Sequence, residues 1–442
     1  MLNQRRVRAQ IFLHHLLPRI LLDISNHRWS RWLIGWCAAI AALCLSRNNS
    51  RSTRLLLGAH RTHLWAQRSA RPTGLQRLIE SDLSRRCDRY LPPLDAPRNL
   101  FASAPDTARI ASRMLVLKAP QRERGNKGVL LLMFTEHFSE LGELVELDRL
   151  AEDYLLVLEP SYSGYADAAI LQFQRLSPNP VFVMATEARD FAFVQRIRSN
   201  LVPVRLGSSD WVHPRVFSPI ANIEKQYDSI MVAGWERLKR HHAFFRAVAE
   251  LNDLSYRFCL VGGSWLGSRV EIDSLLDYYG VRKQADVFEG LSPADVNRKL
   301  NMARVNVLLT HREGSNRSLF EGMFAGTPAL ALSDVIGPNH AWIQPPAGRL
   351  VRESELAKAL DSFRHGLTEL RPREWALTHI SPLVSTGSLE SAISTTLKDL
   401  GVTWHGGLAI KVNAPEAQYF DADDRRSLPT AQEILREYAR AS

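Results

Sequence analysis

From residue 114 onward, short unbroken apolar runs alternate with amphipathic stretches. Segments 114–117, 128–134, 154–158, 180–184 and 201–206 are apolar without regular polar alternation. Strands buried on both faces read this way, so they predict a parallel sheet covered on either side. Between them, 136–150 and the stretch up to about 199 carry helical spacing. A second set follows at 229–233, 256–261, 285–288, 305–310 and 328–332. Its predicted helices are 238–251, with Phe244, Phe245, Val248 and Leu251 on one face, 270–279, closed by Gly280, and 293–303, opened by Ser292-Pro293. Strand–helix alternation at this spacing predicts α/β architecture with two doubly wound Rossmann-like domains. The expected division is 1–105 as an extension, 106–220 and 221–400 as the domains, and 401–442 as a tail whose 428–441 can form a terminal helix. A hinge is expected over 207–226.

Charge separates the extension from the rest. Residues 1–100 hold 17 arginines, no lysine and five acids, a net +12, whereas the remainder holds 39 bases and 41 acids, a net −2. A nucleic-acid partner needs its basic residues along a working groove, so none is expected. Within the extension, 32–45 is a run of 14 apolar residues flanked by Arg28, Arg31, Arg47, Arg51 and Arg54. Spanning a bilayer takes roughly 20 such residues. The run suits an interfacial position, in which residues 28–54 can contact an anionic membrane surface; its alternatives are a misplaced signal-like apolar region, a buried helix or an extension from an upstream start. No cleavage site of secretory type follows it. Cys37, Cys44, Cys87 and Cys259 form no ligand or disulfide spacing, which points to a reducing, cytoplasmic setting with a peripheral membrane position open.

The most informative stretch is 313–328. Glu313 and Glu321 stand eight positions apart, the first after a predicted strand and the second on the following helix. Between them lie Gly314, Ser315, Asn316, Arg317 and Ser318. Backbone amides and a helix dipole there suit a phosphate, and carboxylates suit sugar hydroxyls. The plainer reading makes Ser318 and Glu321 a capping box and Glu313 a solvated acid. Ligands of open α/β sheets bind outside the carboxyl ends of the strands, which gathers Gly234, Gly262, Gly263, Gly290 and Glu313 around one cleft. His241 and His242, adjacent on a helix, are expected at solvent and cleft wall. No metal site is expected: the one Asp-x-Asp, Asp421 to Asp423, lies in a polar tail.

In order, Lys239 with Ala247, Val261-Gly262-Gly263, Val287 to Gly290, Glu-x7-Glu and Ala325-Gly-Thr-Pro328 resemble the retaining GT-B glycosyltransferases of the group 1 family, over about 170 residues. The segment Trp211 to Phe217 is similar to the one that precedes that family's second domain. The resemblance implies a GT-B fold, two Rossmann-like domains facing across a cleft, and a nucleotide-diphospho-sugar donor. Lys239 would then neutralise the donor diphosphate, with Arg237, or secondly Arg240, as its arginine partner. Glu313 would receive hydroxyls of the transferred sugar and Glu321 those of the ribose. Amides from Gly314 to Ser318 would face phosphate or sugar, and Phe288, Glu289 and Gly290 would border the base. No metal or other cofactor is implied, since cations and a helix terminus stabilise the leaving diphosphate.

The first half departs from the family. Where a glycine-rich loop is expected stands Phe134-Thr-Glu-His137, and where a strand-end histidine is expected stands Met184-Ala-Thr-Glu187. His137 and Glu187 are the acceptor-side candidates that remain, with capping or surface roles as their alternative. The acceptor is a glycan, a lipid-linked glycan or a small molecule. Rival readings are a nucleotide-sugar epimerase or hydrolase, and a non-catalytic binder of the same fold. The arginine-rich arm is expected to be dispensable for the donor pocket.

Overall fold

The computed structural model describes residues 2–44, 50–66, 71–74, 76–81, 83, 106–264, 266–366, 369–413 and 417–440. Cys87, Arg47, and the boundary placed after residue 105 lie outside the described residues, as do the side chains of Cys44 and Arg51. The chain forms two compact α/β units, 28–211 with 382–442 and 1–27 with 212–381.

The first unit is built on β1 (Met114–Lys118), β2 (Gly128–Met133), β3 (Tyr154–Glu159), β4 (Val181–Met184) and β5 (Leu201–Val204), lying in that order. Strands β2 to β5 are parallel, and every residue of β2 and β3 is buried, which is why their sequences do not alternate. The first run departs from the expectation of a parallel sheet: β1 pairs antiparallel with β2, Met114 opposite Leu132. The connection 119–127 contains only a turn of 3-10 helix and is too short for a parallel crossover. The stretch expected as one helix over 136–150 is two, Thr135–Leu144 and Leu147–Asp153, parted at extended Val145, which bridges to Ala439.

The end of the chain is part of this unit. Helix Pro382–Asp399 lays Leu389, Ile393 and Leu397 against Leu131, Met133, Phe182 and Met184. Helix Ala431–Glu437 brings Ile434, Leu435 and Tyr438 into the core formed with β2 and β3. Helices Arg28–Cys44 and Ser50–Trp65 pack on each other, and Ala39, Ala42, Leu56 and Leu57 join that core.

The second unit holds β6 (Ser229–Val232), β7 (Phe258–Gly262), β8 (Ala285–Glu289), β9 (Asn306–Leu308), β10 (Ala329–Leu332) and β11 (Gly348–Val351). All pairings are parallel, in the order β11-β10-β9-β6-β7-β8. Strand order therefore reverses between β6 and β9, the switch point where such sheets hold ligands. Ser268 and Ser292 cap Arg269–Tyr279 and Pro293–Asn301, and Gly280 closes the former at φ 73°. Residues 1–27 join this unit through Leu16 in its core, so the extension read as one piece is divided between the units.

Candidate functional site

Two loops leave the carboxyl ends of the neighbouring strands β6 and β9. After β6, Trp235 is buried completely and its indole donates to the Glu289 carboxylate. The backbone then makes a 3-10 turn, Arg237–Lys239, passes through Arg240 at φ 59°, and enters helix His241–Glu250. A Cβ on Gly262 would stand 2.4 Å from the Ala233 carbonyl and 2.7 Å from the Trp235 ring. This glycine thus admits a tryptophan. Gly263 differs, because a Cβ there meets nothing within 4 Å.

After β9, the loop to helix Arg317–Phe324 is fixed by a neighbouring turn. Glu313 N–H donates to Ile336 at 2.8 Å, and Ile336 N–H donates to His311 at 3.0 Å. Gly337, at φ 117°, approaches so closely that a Cβ would lie 2.1 Å from the Glu313 carbonyl. Asn316, not Ser318, caps the helix, accepting from Leu319 N–H at 2.9 Å. Ser318 lies inside it and donates to the Val232 carbonyl at 2.8 Å, tying the helix start to the end of β6. The capping-box reading of Ser318 and Glu321 therefore fails.

The two loops meet through Lys239 and Glu313, whose Nζ and Oε1 are 2.5 Å apart and partly open to solvent. Arg237 reaches Glu271 at 3.1 Å with its guanidinium substantially exposed. Arg240 does not stand free as a second phosphate ligand: it is buried, bonds Asp23 and Glu353 at 2.8 Å each, and donates to the Leu309 carbonyl at 3.2 Å. Glu321 is buried and pairs with Arg317 at 3.0 Å. Burial raises its pKa, and Arg317 opposes the rise. Phe288 lies under Lys299, 3.9 Å from Nζ to the ring centre, and Glu289 also accepts from Ser264 at 3.0 Å. A Cβ on Gly234 would meet the Glu236 carboxylate at 2.4 Å.

His241 and His242 are both buried, not at a solvent wall. His242 bonds Asp23 at 2.9 Å. His241 packs against Trp235 and Phe245, and among the described residues neither ring nitrogen has a hydrogen-bond partner. Burial, with Arg19, His242 and Lys239 nearby, pushes its pKa down to about 3.

On the first unit, His137 contacts Glu140 at 3.0 Å, and Glu140 is held by Arg109. Glu187 caps helix Ala188–Arg196, accepting from Arg189 N–H at 3.1 Å, and pairs with that residue's guanidinium at 2.7 Å. Phe134, in the place of the expected glycine loop, takes φ 68° beneath Arg113. Asp421 caps helix Ala422–Ser427. No group of three potential metal ligands occurs among the described residues.

Sequence reasoning missed Asp23, Glu271 and Glu353. Asp23 is a lone acid, Glu271 shares its helix with Asp273 and Asp277, and Glu353 stands two residues before Glu355; only the fold brings each of the three to its arginine.

Residues 215–370 match the family model described as glycosyl transferases group 1. No curated protein matches the chain. Among solved structures it is similar to the pneumococcal O-GlcNAc transferase GtfA in complex with UDP and GlcNAc, at 16% identity over 57% of this chain and 54% of that one, TM-score 0.44. It is similar to a mutant of S. aureus TarM at 12% identity, over 59% and 55%, TM-score 0.48. Sucrose-phosphate synthase from Thermosynechococcus elongatus follows at 16% identity, over 62% and 73%, TM-score 0.48. The chain spans about half the length of the first two.

Proposed function

We propose, from the match of residues 215–370 to the family model described as glycosyl transferases group 1, that the chain moves a sugar from a nucleotide-diphospho-sugar to an acceptor, with retention of anomeric configuration. The acceptor class is a glycan, a lipid-linked glycan or a small molecule. The observation that carries the reading is the Lys239–Glu313 contact of 2.5 Å at the β6/β9 switch point. Departure of a nucleoside diphosphate builds negative charge on its oxygens. Lys239, with exposed Arg237 two residues before it, supplies positive charge that strengthens its hold as that charge develops. Glu313, fixed through its own backbone, receives sugar hydroxyls. Glu321 receives ribose hydroxyls after exchanging its bond to Arg317, and the turn from Gly314 to Ser318 faces the phosphates. Gly263, Phe288 and Glu289 lie at the ends of β7 and β8 and border the base. His137 and Glu187 stay as acceptor-side candidates, the latter by giving up part of its Arg189 pairing.

The exposed apolar face of helix Arg28–Cys44 supports a peripheral position at an anionic membrane surface.

Incubation with a panel of nucleotide sugars, reading released nucleoside diphosphate with and without acceptor extract, tests the function. Lys239→Ala and Glu313→Ala are each expected to lower kcat/KM roughly 10²- to 10³-fold with the fold intact. Turnover near the wild-type level in either variant would refute the assignment, and binding without release would favour the non-catalytic reading.

A further inference from the structure

One carboxylate reaches both loops that carry the Lys239–Glu313 pair. Asp23 lies on helix Leu17–Asn26, within the segment that packs on the second unit. It accepts from Arg240 at 2.9 Å and 2.8 Å and bonds the His242 ring at 2.9 Å. Its Oδ1, which also takes Arg240 Nε, lies 3.5 Å from Nε2 of His311, a charge-pair contact without a hydrogen bond. Arg240 directly follows Lys239 and takes a left-handed backbone that a side chain adopts only when its surroundings hold it there. His311 stands two residues before Glu313 and accepts the Ile336 N–H that closes the Glu313 loop. Arg240 adds a bond to the Leu309 carbonyl just after β9. The segment bearing Asp23 is anchored independently, by Leu16 in the core and by Arg19 on Glu271 at 3.1 Å.

We propose that Asp23 is a positioning residue for sugar transfer: from outside the 215–370 match, it holds the Lys239 turn and the Glu313 loop at the separation the donor needs. The proposal rests on the donor reading above. Its physical basis is pre-organisation, since a misplacement of about 1 Å at a reacting centre costs up to about a hundredfold in rate. Asp23 touches neither Lys239 nor Glu313 in the described contacts and acts through Arg240 and His311.

The test uses the full chain and the variants Asp23→Asn and His311→Asn. Hydrogen exchange by mass spectrometry reads residues 236–240 and 311–316 without ligand, and calorimetry reads affinity for UDP, GDP and ADP. In D23N both segments should exchange faster while 258–262, in β7, keeps its protection. In H311N only 311–316 should loosen, which keeps the idea testable if D23N does not fold. The tightest diphosphate should bind about tenfold more weakly to each variant. Wild-type exchange and affinity in H311N would overturn the proposal, as would loosening of β7 in step with the two loops. A wild-type chain that binds none of the three diphosphates defeats the donor reading instead, and the exchange comparison still decides the role of Asp23.

Discussion

Histidine 241 shows how much of this site is packing and how little is display. Its neighbour His242 finds Asp23, but His241 lies between Trp235 and Phe245 with both nitrogens unpartnered. Burial lowers the pKa of both rings, His241 to about 3, while Asp23 opposes the fall at His242. The unfolded chain therefore takes up protons below about pH 6.5 that the folded chain refuses. Stability from these two groups is full above that pH and falls as pH drops toward their folded values. Asp23 behaves differently. Burial alone would raise its pKa, but the bonds from His242 and Arg240 and the nearby His311 ring hold it well below the usual carboxylate range. Its contribution persists through mild acid and goes only when pH falls through that low value. Thermal midpoints measured from pH 7.5 to 5 should thus decline in the wild type. His241→Phe should flatten the decline and raise the midpoint at pH 5, because an apolar ring needs no partner. An unchanged slope would mean that His241 is protonated when folded. Nothing in the sequence distinguished this histidine from a surface one; adjacent residues on a helix were expected to diverge, and here both turn inward because Trp235 and Asp23 cover them.

At the scale of elements, strands were most legible where burial is two-sided. β2, β3, β6, β7, β9 and β10 stand out as apolar runs, and edge strand β8 is legible although half-buried, whereas β11, at the other edge, reads Gly-Arg-Leu-Val and is mostly half-buried. Helix Pro382–Asp399 escaped notice because serine, threonine and glycine lower its helical propensity. Its Leu389, Ile393 and Leu397 do recur at helical spacing, a signal available in advance. The terminal helix was legible, but its importance was not. Tyr438 is fully buried, packs edge-on against Tyr154 with ring centres 6.1 Å apart, donates to Asp153 at 2.5 Å and accepts from Arg122 at 2.7 Å. Tyr438→Ala should cost about 3–5 kcal/mol of stability, as other large-to-small aromatic deletions do. Tyr438→Phe should cost only about 1 kcal/mol, plus any penalty of Asp153 losing a donor. Denaturant unfolding of both variants checks the difference; equal losses would place the stabilisation in the hydroxyl and not in the ring.

For the whole molecule, charge and apolar surface converge on the N-terminal helices of the first unit. Residues 28–66, which open the first unit, hold six arginines and no acid. Helix Arg28–Cys44 turns Gly35, Ala39 and Ala42 toward Ser50–Trp65, close enough that a Cβ on Gly35 would stand 2.9 Å from the His63 ring. Trp29, Leu33 and Ile40 stand exposed away from that contact, and Trp32 and Trp36, half-exposed, flank it where their rings meet His63. Among the described residues no helix is long and apolar enough to cross a membrane; the peripheral position proposed above has helix Arg28–Cys44 lie in an interface. Tryptophans favour the headgroup level, and arginines nearby each add about 1 kcal/mol at an anionic surface. Vesicles containing phosphatidylglycerol should therefore sediment the chain, and phosphatidylcholine vesicles should do so much less. Added salt should weaken the charge-driven part within the reach of Debye screening. Trp29→Ala with Leu33→Ala should lower partitioning at every salt concentration, because it removes apolar contact and leaves the arginines in place. Partitioning indifferent both to that double substitution and to lipid charge would refute the membrane position, and the donor site proposed on the second unit would be untouched by that result.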